Sequence, residues 1–148
     1  MTVRSHEDFM RIALEEAVRS REEGNSGVGS IVVRAGEVIG RGRNLVMTDH
    51  DVTAHAETVA LRDAGAATET VDFSGCALYT TFEPCPMCCG AILLSGISTL
   101  VVGGKPAPGA GLWEGYSVEG LIDRLGRGST IEVLGGVLAD ECAALMRR

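Results

Sequence analysis

Apolar positions along the chain recur with two periods, and the switches between them mark out the elements. Phe9, Ile12, Ala13, Ala17 and Val18 fall at helical spacing and predict a first helix from about Ser5 to Glu23. Gly24-Asn25-Ser26-Gly27 ends it with residues that tolerate unusual backbone angles. Two strand-like runs follow, Val28 to Arg34 and Val38 to Asn44, joined into a hairpin by Ala35-Gly36-Glu37. Thr53 to Gly65 reads as a second helix with Thr53 as its N-cap. Ala77 to Thr81 is a buried strand, Pro86 to Ser95 a helix with proline in its first turn, and Leu100 to Gly103 another strand. Lys105 to Gly115 is a loop rich in glycine and proline that carries the only tryptophan. Val118 to Leu125 is helical, Thr130 to Leu134 a strand, and Ala139 to Arg147 a final helix.

Strands alternating with helices predict an α/β fold, a three-layer α/β/α sandwich with helices on both faces of a mixed sheet. With no internal repeat or linker, residues 1–148 are expected to form a single domain. Hydrophobic residues at 45% and charged residues at 22% fit a soluble globular composition. Apolar stretches such as Ala91 to Leu94 are far too short to span a bilayer, and Met1 to Asp8 turns acidic with no apolar run. A cytoplasmic protein without a membrane partner is the expectation. The net charge of −7 comes from 13 Lys and Arg against 20 Asp and Glu, with no basic tract longer than Arg147-Arg148. Neutralised phosphates supply most nucleic-acid affinity, so this balance favours a small neutral substrate over a large polyanion.

Two short phrases carry the chemistry: Thr53-Ala54-His55-Ala56-Glu57 and Glu83-Pro84-Cys85-Pro86-Met87-Cys88. His55, Cys85 and Cys88 offer one imidazole and two thiolates, three ligands for tetrahedral zinc with the fourth position open, as catalytic sites keep it. Both phrases fall at predicted helix starts, whose partial positive charge favours thiolates. Glu57 is the candidate to move the protons of a zinc-activated water. A lone Cys-x-x-Cys also suits a redox pair, half a structural zinc site, or core. A thioredoxin-like pair would follow the first strand, whereas this one follows the third, and neither alternative explains His55 and Glu57. Of the other cysteines, Cys76, Cys89 and Cys142 are expected to be packed in the interior. His6 is expected to be solvated, and His50 to shape a loop rather than bind metal.

These phrases resemble the His-x-Glu and Pro-Cys-x-x-Cys signature of zinc-dependent nucleobase deaminases. With Val38-Ile39-Gly40-Arg41-Gly42-Arg43-Asn44 and Leu78-Tyr79-Thr80-Thr81-Phe82, they are similar to the cytidine-deaminase-like superfamily over about Phe9 to Met146. The branch is that of fungal-type cytosine deaminases, bacterial guanine deaminases and tRNA-specific adenosine deaminases. The resemblance implies a five-stranded sheet, one zinc ion per subunit, and a homodimer with the pocket near the subunit interface. It also implies that Asn44 hydrogen-bonds the substrate and that the Ala56 N–H contacts a base carbonyl. Tetrameric cytidine deaminases usually have cysteine where His55 stands. The chain departs from the family pattern at Val52 and in Ser26-Gly27-Val28-Gly29, where proline is common.

The expected activity is hydrolytic deamination of a free nucleobase or related aminated heterocycle (cytosine, guanine, isoguanine or s-triazine), replacing C–NH2 by C=O. The substrate-contact candidates are Asn44, Ala56, Glu83, Trp113 and Glu114. Glu83 is expected to act through its backbone carbonyl, and Trp113 and Glu114 by stacking on a base and accepting from it; the alternative is that Trp113 and Tyr116 only pack the loop down. Gly135 to Leu145 is similar to the tail of tRNA adenosine deaminases, which makes tRNA adenosine the second candidate substrate. A non-catalytic zinc module is the third reading.

Overall fold

The computed structural model describes residues 3–146. Ala35 and Gly36 both take positive φ, 49° and 81°, the mirror-image turn whose twist matches that of the flanking strands. It places Arg34 opposite Glu37 and pairs β1 (Gly29–Arg34) antiparallel with β2 (Glu37–Arg43). On its other side β1 pairs antiparallel with β3 (Ala77–Phe82), which runs parallel to β4 (Thr99–Gly104) and through it to β5 (Glu132–Leu134). The mixed sheet thus has five strands among the described residues, in the order β2-β1-β3-β4-β5.

Helices cover both faces, as the alternating pattern predicts. Ile31, Val33, Tyr79 and Val101 point to a layer made by α1 (His6–Glu22) and α6 (Ala139–Met146). Val32, Leu78, Leu100 and Val102 point to α3 (Ala56–Thr68), α4 (Pro86–Ser95) and α5 (Val118–Arg124) on the other face. Helix α1 begins on a capping box in which Ser5 and Asp8 satisfy each other's backbone N–H. The last predicted residue of the final helix, Arg147, lies outside the described residues, as does the Arg147-Arg148 tract.

Four details differ from expectation. A one-turn helix, α2 (Val46–Asp49), intervenes after β2. Thr53 does not cap α3; Asp51 Oδ1 accepts from both its N–H and its hydroxyl, and His55 takes the cap position. Helix α3 then runs through Gly65 to Thr68. Thr130 closes a turn onto the Arg127 carbonyl, so the last strand starts only at Glu132. His6 is also less free than expected, because its Nδ1 lies 2.7 Å from the Tyr79 hydroxyl. No helix among the described residues is long and apolar enough to cross a membrane.

The contact of α3 with β2 positions the site. Gly40 and Gly42 present a bare strand face to Ala56, Ala60 and Ala64, spaced one helical turn apart. A Cβ on Gly42 would lie 2.3 Å from the Ala60 nitrogen and 2.4 Å from the Ala56 oxygen. The helix therefore rests directly on the strand, which fixes where its first turn lies. Gly42→Val is expected to destabilise the fold by about 1–3 kcal/mol or more, because backbone cannot yield as a side chain can. A thermal melt checks this; an unchanged midpoint would show that α3 can lift off β2.

Candidate active site

His55 and Cys85 occupy the N-cap positions of α3 and α4, each with extended backbone angles and with no side-chain cap hydrogen bond. Their side chains are therefore free to turn toward each other. Pro86 restricts Cys85 to extended conformations and opens α4 at its first turn, and Cys88 follows within that same turn. The His55 Nδ1 lies 3.5 Å from each of the Cys85 and Cys88 Sγ atoms. All three atoms lie within 4.8 Å of one another. A tetrahedral ion with Zn–N and Zn–S bonds of ordinary length requires an N···S edge of about 3.6 Å, so the trio fits zinc. Among the described residues the cluster offers three ligand atoms, leaving the fourth position to a reactant.

The electrostatics agree with that donor set. The hydrogen bond from the Cys88 thiol, followed by the His55 ring, brings the Cys85 thiol down to about 4 against the effect of burial. Cys88, donating to Cys85 and buried, is pushed strongly upward, and the bond to Cys85 raises His55. Ligation of a divalent cation requires both sulfurs as thiolates, so binding there would release protons. Glu57, on the first turn of α3, is only 4% exposed, and burial pushes its carboxyl up to about 6. The Ser30 hydroxyl donates toward it at 3.5 Å and pairs with Thr80 at 2.8 Å on the neighbouring strand. Neither is a candidate from sequence alone; the available signal is a pair of hydroxyl residues at interior positions of adjacent buried strands.

A cavity of about 820 Å³ opens over this cluster, within the range of small-molecule sites. His55, Ala56, Glu57, Cys85, Asn44, Glu83, Trp113 and Glu114 all line it, whereas Cys88 lies fully buried behind. The Asn44 Oδ1 accepts the Val46 N–H at 3.0 Å, which orients the carboxamide and leaves its NH2 group for a ligand. The Ala56 N–H stands in the first turn of α3, where backbone donors lack intrahelical acceptors. The Glu83 side chain, for which the sequence names no role beside that of the backbone carbonyl, accepts from the Val118 N–H at 3.2 Å and lies 3.8 Å from the Lys105 ammonium. The loop's two aromatics are placed differently. Tyr116 donates to the Pro84 carbonyl and packs the loop down, whereas Trp113 stays half-exposed on the cavity wall. Cys89 is buried in the core, and neither it nor His50 joins the cluster.

The pattern of the cytidine and deoxycytidylate deaminase zinc-binding region matches residues 3–104. The chain is 34% identical to a tRNA-specific adenosine deaminase of Bacillus subtilis over 93% of this chain and 84% of that one. It is 44% identical to a tRNA(Ile)-lysidine synthase of Deinococcus radiodurans over 91% of this chain, but spans only 23% of that protein's length. Among solved structures, a tRNA:A34 deaminase superposes with a TM-score of 0.79 at 32% identity, covering 93% of this chain and 97% of the other. A guanine deaminase from Nitrosomonas europaea superposes with a TM-score of 0.84 at 30% identity, covering 99% and 85%. The fold is thus shared by enzymes of both substrate classes and does not separate them. The curated relatives do: tRNA-specific adenosine deaminases recur among them, which overturns the expectation of a free-nucleobase substrate. That expectation weighed the summed charge of the whole chain, which does not say how charge is distributed around the cavity mouth. With its three-donor zinc site, its buried carboxyl and its five-stranded α/β sheet, the chain belongs to the cytidine and deoxycytidylate deaminase family of zinc-dependent hydrolytic enzymes.

Proposed function

We propose that the protein deaminates adenosine in the anticodon loop of tRNA, giving inosine and ammonia. The observation that carries this reading is the likeness, over nearly the whole chain, to a tRNA-specific adenosine deaminase of similar length. The mouth of the cavity supports it. Trp113, Leu112 and Met47 are 50%, 85% and 67% exposed there, an apolar and aromatic rim on which unpaired bases flanking an extruded adenosine can stack.

His55, Cys85 and Cys88 hold zinc, which when bound supplies a Lewis acid and lowers the pKa of a coordinated water toward ~7. Glu57 accepts the proton of the attacking water and delivers it to the ring nitrogen beside the amino-bearing carbon. It then carries a proton to the departing amine, so the C–N bond breaks with release of ammonia and the water oxygen remains as C=O. A carboxyl with a pKa raised by burial both accepts and returns a proton near neutrality. The Asn44 amide and the Ala56 N–H orient the base, while Trp113 and Glu114 close its side from the loop.

A second copy of the chain is the proposed partner. Helix α4 has no charged residue, and its outer face presents Met87, Gly90, Ala91 and Leu94, with Leu94 90% exposed. Small residues between two large apolar ones allow close approach of a symmetry-related helix. Leu94→Glu is expected to convert a dimer into a monomer by light scattering; an unchanged mass would place the contact elsewhere.

Incubation with anticodon stem-loop RNA, followed by nucleoside analysis, tests the proposed activity. Inosine must form with the wild-type protein and not with Glu57→Ala; its absence from both would sink the reading.

A further inference from the structure

β3 and β4 end side by side, with Phe82 opposite Gly104 and the Glu83 N–H donating to the Gly104 carbonyl at 2.9 Å. From there the two chains part. One passes through Glu83-Pro84 into Cys85 and α4; the other begins at Lys105 the loop that walls the cavity as far as Ser117. Three tethers join them again, all on the two residues that precede Cys85. The Glu83 carboxylate accepts the Val118 N–H at 3.2 Å, just past the loop's end. Its same oxygen lies 3.8 Å from Lys105 at the loop's start, and Lys105 also bonds Glu119 at 2.7 Å. Tyr116 donates its hydroxyl to the Pro84 carbonyl. Between these anchors, residues 107–115 are all exposed.

A carboxylate whose side chain is only 7% exposed must be held by partners, and here the partners are the two ends of one loop. We propose that Glu83 is a positioning residue: its carboxylate fixes both ends of the 105–117 loop on the turn that carries Cys85, and so seats the substrate wall in register with the metal ligands. The middle of the loop stays free to adjust to what it covers. Removal of the carboxylate releases the wall while leaving His55, Cys85 and Cys88 in place. The defect is therefore one of substrate seating rather than of metal binding.

The single tryptophan makes this visible without any substrate, because Trp113 lies on the loop itself. Zinc content, Trp113 emission and acrylamide quenching are measured for Glu83→Ala, Glu83→Gln, Lys105→Met and Tyr116→Phe, with steady-state kinetics on anticodon stem-loop RNA. Glu83→Ala is expected to keep full zinc, to red-shift Trp113 emission and raise its quenching, and to raise KM roughly tenfold with a smaller change in kcat, the scale of one lost hydrogen bond to a charged group. Glu83→Gln retains an acceptor for the Val118 N–H and is expected to restore most of the wild-type quenching. The kinetic arm rests on the substrate proposed above and the fluorescence arm does not. A Trp113 shift without any inosine formation would therefore support the clamp while sinking the substrate reading. Unchanged quenching and KM in Glu83→Ala would overturn the proposal, and so would loss of zinc, which would make Glu83 a support for the metal turn alone. If Glu83→Ala does not fold, Lys105→Met and Tyr116→Phe decide: raised quenching in both supports the clamp, and no change in either overturns it.

Discussion

Replacing Glu57 by glutamine is expected to lower turnover by about 10²- to 10⁴-fold, the range for loss of a positioned general acid–base group. Glutamine matches the carboxylate in shape and can still hydrogen-bond Ser30, so the cavity and the metal ligands should be undisturbed. What it cannot do is take up a proton and return it. Burial already works against the charged form of this carboxyl, so the neutral amide should leave the melting temperature unchanged or higher. The measurement is turnover beside zinc content and a thermal melt. Full activity in Glu57→Gln would assign proton transfer to another group. Low activity with lost zinc would make Glu57 a support for the metal.

Cys88→Ser is expected to abolish activity by a different route. The serine hydroxyl is a poor zinc ligand at neutral pH, and the site falls from three protein ligands to two. Zinc bound only to the folded state adds stability that grows with its excess, about 4 kcal/mol at a thousandfold excess over Kd. The variant should therefore lose both its metal and a large part of its thermal stability, and chelation of the wild type should reproduce the same lowered melt. Retention of stoichiometric zinc by Cys88→Ser would show that Cys88 is not a ligand. The two variants thus separate chemistry from assembly: one keeps zinc and loses turnover, the other loses both.

The site is more legible in the sequence than the elements that carry it. Three side chains with distinctive metal chemistry sit at helix starts, where local rules of proline and capping constrain the backbone. Residue type and position alone therefore join His55, Cys85 and Cys88 into one cluster. The exact cap at His55 is not legible, because Thr53 is the better N-cap by type and is engaged instead by Asp51. Ser30 and Thr80 give no clear signal because a hydroxyl in a strand commonly packs as a small residue, and their role depends on which strands are neighbours. The work of Glu83 is hidden for the same reason: its partners, Lys105 and Val118, are 22 and 35 positions away in sequence. Substrate class is misread from composition because net charge is a sum over the chain, whereas a substrate meets only the residues that line the cavity and its rim.

The most direct measurement is a single-turnover reaction of the zinc-loaded protein with anticodon stem-loop RNA in water enriched in heavy oxygen. The prediction is inosine carrying one solvent-derived heavy oxygen at the former amino position, with one ammonia released per inosine and both products formed about 10²- to 10⁴-fold more slowly by Glu57→Gln. No inosine, with ammonia released only from free bases, would contradict the proposed substrate; inosine without the heavy oxygen would contradict hydrolysis at this site.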